Sequence, residues 1–178
     1  MNDAVAERLP LAAGSEREAF AMLYERTFPR LYAYVASLLR DRAGAEDVTA
    51  QAFERAYRKR RSYRAGKGSP EAWLFGIARN AALDELRRRK RRARLELEPE
   101  DVAAPATEEL AERAVLRATV RAALAGLDSR ERDLLALKFA GGLSNAEIAR
   151  VVGTSESNAG TRLHRTILKL REACHEEA

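Results

Sequence analysis

The chain has 178 residues, with 32 Lys and Arg against 27 Asp and Glu, and its net charge of +5 and pI near 9.6 suit a polyanionic partner. A hydrophobic content of 46% is enough to bury cores in one domain or two small ones, and sparse Gly and Pro favour helices throughout. The lone Cys174 excludes an internal disulfide or cysteine-rich zinc site, no run approaches a membrane span, and the opening MNDAVAERLPLAAG lacks the pattern of a signal peptide, so a soluble, cytoplasmic protein is expected.

Residues 1–14 read as a frayed, disordered N-terminus. Ser15 with Glu18 forms a capping box that opens the first helix. Phe20, Leu23, Tyr24 and Phe28 make its apolar stripe. Pro29 predicts a break, after which Leu31, Tyr34, Val35, Leu38 and Leu39 resume the pattern. Residues 41–44 read as a connection. A second helix is predicted from about Ala45, with Val48, Ala52, Phe53 and Ala56 inward and a basic end at Lys59, Arg60 and Arg61. Residues 63–69, YRAGKGS, read as a loop with Arg64 and Lys67 beside one aromatic, Tyr63, which suits either base stacking or a staple over the core.

The next helix, residues 69–94, organises the chain. Ser69 is suited to the N-cap and Pro70 to the first helical position. Trp73, Leu74, Ile77, Ala78 and Ala81 fall on one face for packing, and Trp73 reads as core rather than base stacker. Asn80, Asp84, Arg87 and Arg91 line an adjacent polar strip, where Asp84 and Arg87 are spaced for an ion pair. The helix ends in six consecutive basic residues, 87–92. Such a run fits contact with phosphates, and its plainer reading is a solvated helix end that complements the macrodipole.

Residues 95–109 are acidic, with two prolines and no basic residue, and read as a flexible interdomain linker, either a passive spacer or a functional segment. A helix over about 108–127 carries Leu110, Val115, Leu116, Val120 and Leu124. Asp128 with Glu131, and Ser144 with Glu147, are capping boxes for the two helices that follow, the first ended by Gly141 and Gly142. Residues 143–171 have helix-turn-helix geometry: small Ala149, Gly153 for a left-handed turn, and Ile148, Val152 and Leu163 as shared core. The second helix, capped by Ser155, presents Ser157, Asn158, Thr161, Arg162 and Arg165 towards base edges and phosphates; the alternative is an ordinary helical hairpin. Cys174 and His175 belong to a tail, 174–178, and His164 reads as surface or a phosphate contact.

Taken in order, three of these stretches resemble a bacterial RNA polymerase sigma factor of the extracytoplasmic-function group. AEDVTAQAFERAYR is similar to that family's core-polymerase-binding helix, and AWLFGIARNAALDELRRRKRR to its promoter-melting helix. LDSRERDLLALKFAGGLSNAEIARVVGTSESNAGTRLHR is similar to its upstream-promoter domain.

The resemblance implies an all-α chain of two small helical domains, a region 2-like bundle over 15–94 and a region 4-like helix-turn-helix over 110–173, joined by the acidic linker. It implies a non-enzymatic factor without metal or cofactor. Its partners would be RNA polymerase core, promoter DNA in double- and single-stranded form, and an anti-sigma factor, with no membrane insertion. Asp47, Gln51 and Arg55 would meet the polymerase clamp. The 63–69 loop, with Tyr63, Arg64 and Lys67, would take a flipped base. Asn80, Asp84, Arg87, Arg88 and Arg91 would lie at the melted −10 element, and Glu156, Ser157, Asn158, Thr161, Arg162 and Arg165 at the −35 element. The linker would thread the polymerase channel.

Gln51 departs from the family's usual acidic residue, and Ala159 and Gly160 from its Val and Lys, which predicts a weaker upstream reader. A stand-alone helix-turn-helix regulator is the alternative, but it has no use for a melting helix.

Overall fold

The computed structural model describes residues 15–96 and 111–176, and among these residues it contains helices and turns with no strand. The expected N-terminal segment, Leu110 and all but the first residues of the linker lie outside the described residues. The helices are α1 (Ser15–Leu39), α2 (Arg42–Lys59), α3 (Pro70–Glu96), α4 (Ala111–Ala125), α5 (Ser129–Leu135), α6 (Asn145–Val152) and α7 (Glu156–Glu176). None is long and apolar enough to cross a membrane.

Helices α1, α2 and α3 pack on one another through long apolar stripes. The expected break at Pro29 does not occur: α1 continues through it. Leu23 before the proline and Leu31, Tyr34 and Val35 after it all enter one core, and that burial outweighs the hydrogen bond proline cannot donate. An aromatic cluster joins α1 to α2, with Tyr24 centred 4.6 Å from Phe53 and Phe20 5.1 Å from Tyr57.

Helix α2 also starts three residues earlier than predicted. Asp41 accepts from the backbone N–H of Ala43 and Gly44 at 3.2 and 3.0 Å, so residues 42–44 are its first turn rather than a connection. On α3 the buried face is Ala72, Leu74, Phe75, Ala78, Ala81 and Ala82. Trp73 and Ile77, expected at its centre, are half-buried at the edge, because the wheel turns towards Phe75, which packs on Tyr34 at 5.5 Å between ring centres.

In the second domain Ala123 and Leu127 anchor α4, whereas Val120, one of the apolar residues this helix carries, is exposed. Both capping boxes form: Asp128 accepts from Arg130 and Glu131 while Glu131 returns to the Asp128 N–H, and Ser144 and Glu147 do the same. After α5 the chain makes a π-helical turn over Ala136–Ala140 before Gly141 and Gly142 end it. Gly153 closes α6 at φ 75°, the left-handed cap expected of it, and leads into α7. Cys174 and His175, read as tail, lie in the last turns of α7. The buried core is continuous across both domains.

Candidate nucleic-acid interface

The 63–69 loop is built from two short 3₁₀ turns, Arg60–Ser62 and Ala65–Lys67, with Tyr63 extended between them. The Tyr63 hydroxyl donates to the Gly68 carbonyl at 2.8 Å and cinches the loop shut. Burial, and next the carboxylate of Glu71, raise the pKa of that phenol, so it stays a neutral donor. Gly68 sits at φ 132°, a conformation side chains resist, and Ser69 caps α3 through the Ala72 N–H at 3.1 Å. Tyr63 packs on Trp73 with ring centres 5.6 Å apart. Tyr63 thus closes the loop through its hydroxyl and lies with its ring against Trp73.

Beside it opens a cleft of about 410 Å³ lined by Tyr63, Arg64, Lys67, Trp73 and Asn80. Arg64 and Lys67 are exposed, so the cleft has an aromatic side and a cationic rim. That pairing suits an unstacked base with its phosphate. Trp73, expected as core alone, also presents an edge here.

Further along α3, Asn80, Asp84, Arg87, Arg88 and Arg91 are all exposed, as the polar strip predicts. Asp84 does pair with Arg87 at 2.7 Å, and Glu85 pairs with Arg88 at 3.0 Å. Such pairs on an open surface are worth under about 1 kcal/mol and yield readily to phosphate. Arg89 differs. It donates to Glu85 at 3.0 Å and to the α2 cap Asp41 at 2.7 Å, where Gly44 leaves room for the guanidinium. The hydrogen bond from Arg89 and those from the backbone hold the Asp41 carboxyl below its usual pKa.

Helix α2 exposes Asp47, Gln51 and Arg55 on its outer side. The structure separates them in one respect: Arg55 also joins Asp84, Arg87, Arg88 and Arg91 around a cleft of about 290 Å³. Four guanidiniums around one carboxylate give that cleft an anion's complement.

On α7, Glu156, Ser157, Asn158, Thr161 and Arg165 are exposed and Arg162 is half-buried. The Asn158 N–H donates to Ser155 at 3.2 Å, and its side chain bonds Thr154 at 2.6 Å, which fixes the first turn. Ala159 is a core residue, 1% exposed. A Cβ built on Gly160 would meet Asn145 of α6 at 3.4 Å, so this position is directed at the neighbouring helix and not at open space.

Sequence reasoning missed Arg30, Arg79, Asp133, Glu147 and Arg150 as partners across the two domains. Arg30, Arg79, Asp133 and Arg150 read alone as ordinary helix-surface charges, and Glu147 as a capping-box partner only. Only its burial sets Asp133 apart, and that appears in three dimensions alone.

Residues 23–92 match the Sigma-70 region 2 family and residues 117–170 the Sigma-70 region 4 family. The chain is 33% identical over 163 residues to the ECF RNA polymerase sigma factor SigK of Mycobacterium ulcerans, covering 89% of this chain and 87% of that protein. Among solved structures it is similar to the sigma factor RpoE in complex with the anti-sigma factor NepR from Bartonella quintana. That match has a TM-score of 0.70 and 26% identity, covering 88% of this chain and 96% of the other. A second similar structure is CnrH in complex with the cytosolic domain of CnrY, with TM-score 0.64, 26% identity and 91% of each chain covered.

Proposed function

We propose a division of labour for this chain, which belongs to the sigma-70 family of RNA polymerase sigma factors and within it to the extracytoplasmic-function group. As a sigma factor it directs RNA polymerase to promoters and serves initiation. Helix α2 binds polymerase core through Asp47 and Gln51, with Arg55 at the border between core and DNA. The 63–69 cleft takes a base from the melted strand, held by Tyr63, Arg64 and Lys67. Asn80, Asp84, Arg87, Arg88 and Arg91 follow the strand's backbone beyond it. Glu156, Ser157, Asn158, Thr161, Arg162 and Arg165 read the upstream duplex.

Two functional domains, 15–94 and 110–173, share this work, with the acidic segment 95–109 spanning between them in the polymerase channel. The protein carries out no reaction of its own, and it works in the cytoplasm, where polymerase and chromosome meet. An anti-sigma factor is its inhibitory partner, as the similar sigma factor RpoE is found in complex with the anti-sigma factor NepR.

The observation that carries this reading is the cleft of about 410 Å³ at the start of α3, where an aromatic wall meets two exposed cations. Capturing a base there offsets the few kcal/mol that unstacking costs. Run-off transcription with core enzyme on genomic fragments tests the whole reading. Asp47→Arg combined with Gln51→Arg should abolish co-purification with core while leaving helicity by circular dichroism intact. Undiminished core binding in that variant would remove α2 from the polymerase interface.

A further inference from the structure

Six basic residues in a row end α3, and the structure gives one of them a different task. Beyond Leu86, which still packs on the core, residues 87–93 are exposed with the single exception of half-buried Arg89. Its guanidinium donates Nη2 to Asp41 Oδ2 at 2.7 Å and Nε to Glu85 Oε1 at 3.0 Å. Asp41 stands 48 residues earlier and caps α2. The other oxygen of Glu85 pairs with Arg88 at 3.0 Å. A chain of charges thus runs from Arg88 through Glu85 and Arg89 to the start of α2.

Asp41 keeps its capping duty while it holds the arginine. Its Oδ1 accepts from the Ala43 N–H and its Oδ2 from the Gly44 N–H. Gly44 is what lets both fit. A Cβ built there would come within 2.5 Å of Asp41 Oδ2 and closer still to Arg89 Nη2. Alanine is the better helix former by about 1 kcal/mol, so glycine in this first turn answers to the guanidinium it admits and not to helix propensity.

A helix end without tertiary contact frays, and this one carries three of the four arginines around the cleft of about 290 Å³. The fourth, Arg55, comes from α2. The cleft keeps its shape only while the two helices keep their relation near residue 89. Ion pairs this exposed add little stability, so the effect of the contact is on orientation.

We infer that Arg89 is a positioning residue: it binds no phosphate, and by joining the end of α3 to the cap of α2 it holds Arg55, Arg87, Arg88 and Arg91 in one constellation for a backbone phosphate. This rests on the reading of the arginine run as following the backbone of the melted strand. It divides the run, with Arg89 turned inward and its neighbours outward.

The test uses the full chain with Asp41→Ser, Gly44→Ala, Arg89→Met and the double variant of Asp41→Ser with Arg89→Met. Serine caps a helix about as well as aspartate but offers no carboxylate to the arginine. Gly44→Ala leaves every charge in place and displaces the guanidinium. Hydrogen exchange at the amides of residues 86–93 reads the anchoring with no nucleic acid present. It should rise by about fivefold or more in each single variant, with overall helicity unchanged. Anisotropy of a labelled random-sequence single-stranded 12-mer reads the consequence. Its affinity should fall about fivefold in each, the size expected where one or two side chains must be ordered anew on binding. Asp41→Ser removes a negative charge, which by charge alone would tighten DNA binding, so the sign of that change is decisive. The double variant should bind no more weakly than either single one, since both break one contact. Arg89→Met should keep the native dependence on salt, whereas loss of a phosphate contact would lower the slope by about 0.7.

Unchanged exchange in Asp41→Ser and Gly44→Ala would overturn the anchoring. Faster exchange with undiminished single-strand affinity would overturn the positioning role, and so would a lowered salt slope in Arg89→Met alone. Arg87→Ala combined with Arg91→Ala decides the phosphate reading by itself. If that pair leaves single-strand binding unchanged, the phosphate reading falls while the exchange result on Arg89 stands.

Discussion

The two domains solve the same problem, holding helices still, by opposite means. The melting domain uses three helices of 25, 18 and 27 residues, long enough for each to bury a stripe over several turns. The reading domain sets two helices of only 7 and 8 residues, each opened by a complete capping box, between longer ones of 15 and 21. Isolated helices that short do not persist in water, so their ends must be satisfied locally. The long helices draw their stability from tertiary contact. The contrast teaches where each domain is vulnerable: the first in its core, the second at its caps and turns.

The largest expected effect is in the melting core. Leu74→Ala removes a fully buried side chain between α1, α2 and α3 and should cost about 2–5 kcal/mol in denaturant unfolding. A cost under about 1 kcal/mol would mean that this domain does not live by packing. Next comes the turn of the reader. Gly153→Ala places a methyl group at φ 75° and should cost about 1–2 kcal/mol, read as lowered Tm and weakened upstream binding together.

Acid should expose the caps. Backbone hydrogen bonding from Glu131, and next from Arg130, holds the Asp128 carboxyl below its ordinary value of 3.8. Burial works against ionising Glu147, but hydrogen bonds from Ser69 and Ser144 outweigh it and hold it below 4.5. Because both folded values are depressed, the stability they lend is fully present above the unfolded values. It is lost as pH falls through the folded ones. Unfolding followed by circular dichroism should therefore be flat from neutral pH to about 5 and should steepen below about 4. Removing Glu147 with Glu147→Gln should blunt that steepening.

The smallest effects are gains. Thr49 is wholly buried with its hydroxyl unpartnered, so Thr49→Val should stabilise the melting domain by about 1 kcal/mol. Gly160→Ala, whose Cβ meets only Asn145 at 3.4 Å, should stabilise α7 by up to about 1 kcal/mol and leave duplex affinity nearly unchanged. Loss of binding in that variant would place the α7 backbone against DNA.

The same contrast explains what was legible in the sequence. Capping boxes at Asp128 and Ser144 and the glycine turn at Gly153 are written within a few residues of one another, and they form as read. The polar strip from Asn80 to Arg91 was legible too, since helical spacing alone sets it. The errors lie where packing decides. Pro29 was read as a stop because local chemistry says so, yet the core on both sides of it carries α1 through. Trp73 and Phe75 exchanged places because a helical wheel cannot know which neighbour is closest. Arg79 and Asp133 stand 54 residues apart, and no local pattern marks them as a pair.

Helix α3 also acts as a ruler. It runs unbroken from the loop cleft to the arginine run, and the 18 steps from Ser69 to Arg87 span about 27 Å at about 1.5 Å per residue. The cleft and the arginine run are thus held at one fixed separation, with no hinge between them. Inserting a single alanine after Asn80 would move the arginines by only about 1.5 Å but swing them about 100° around the axis. Under the proposed function, the arginines would then face away from the strand whose base enters the cleft, and single-strand affinity should fall.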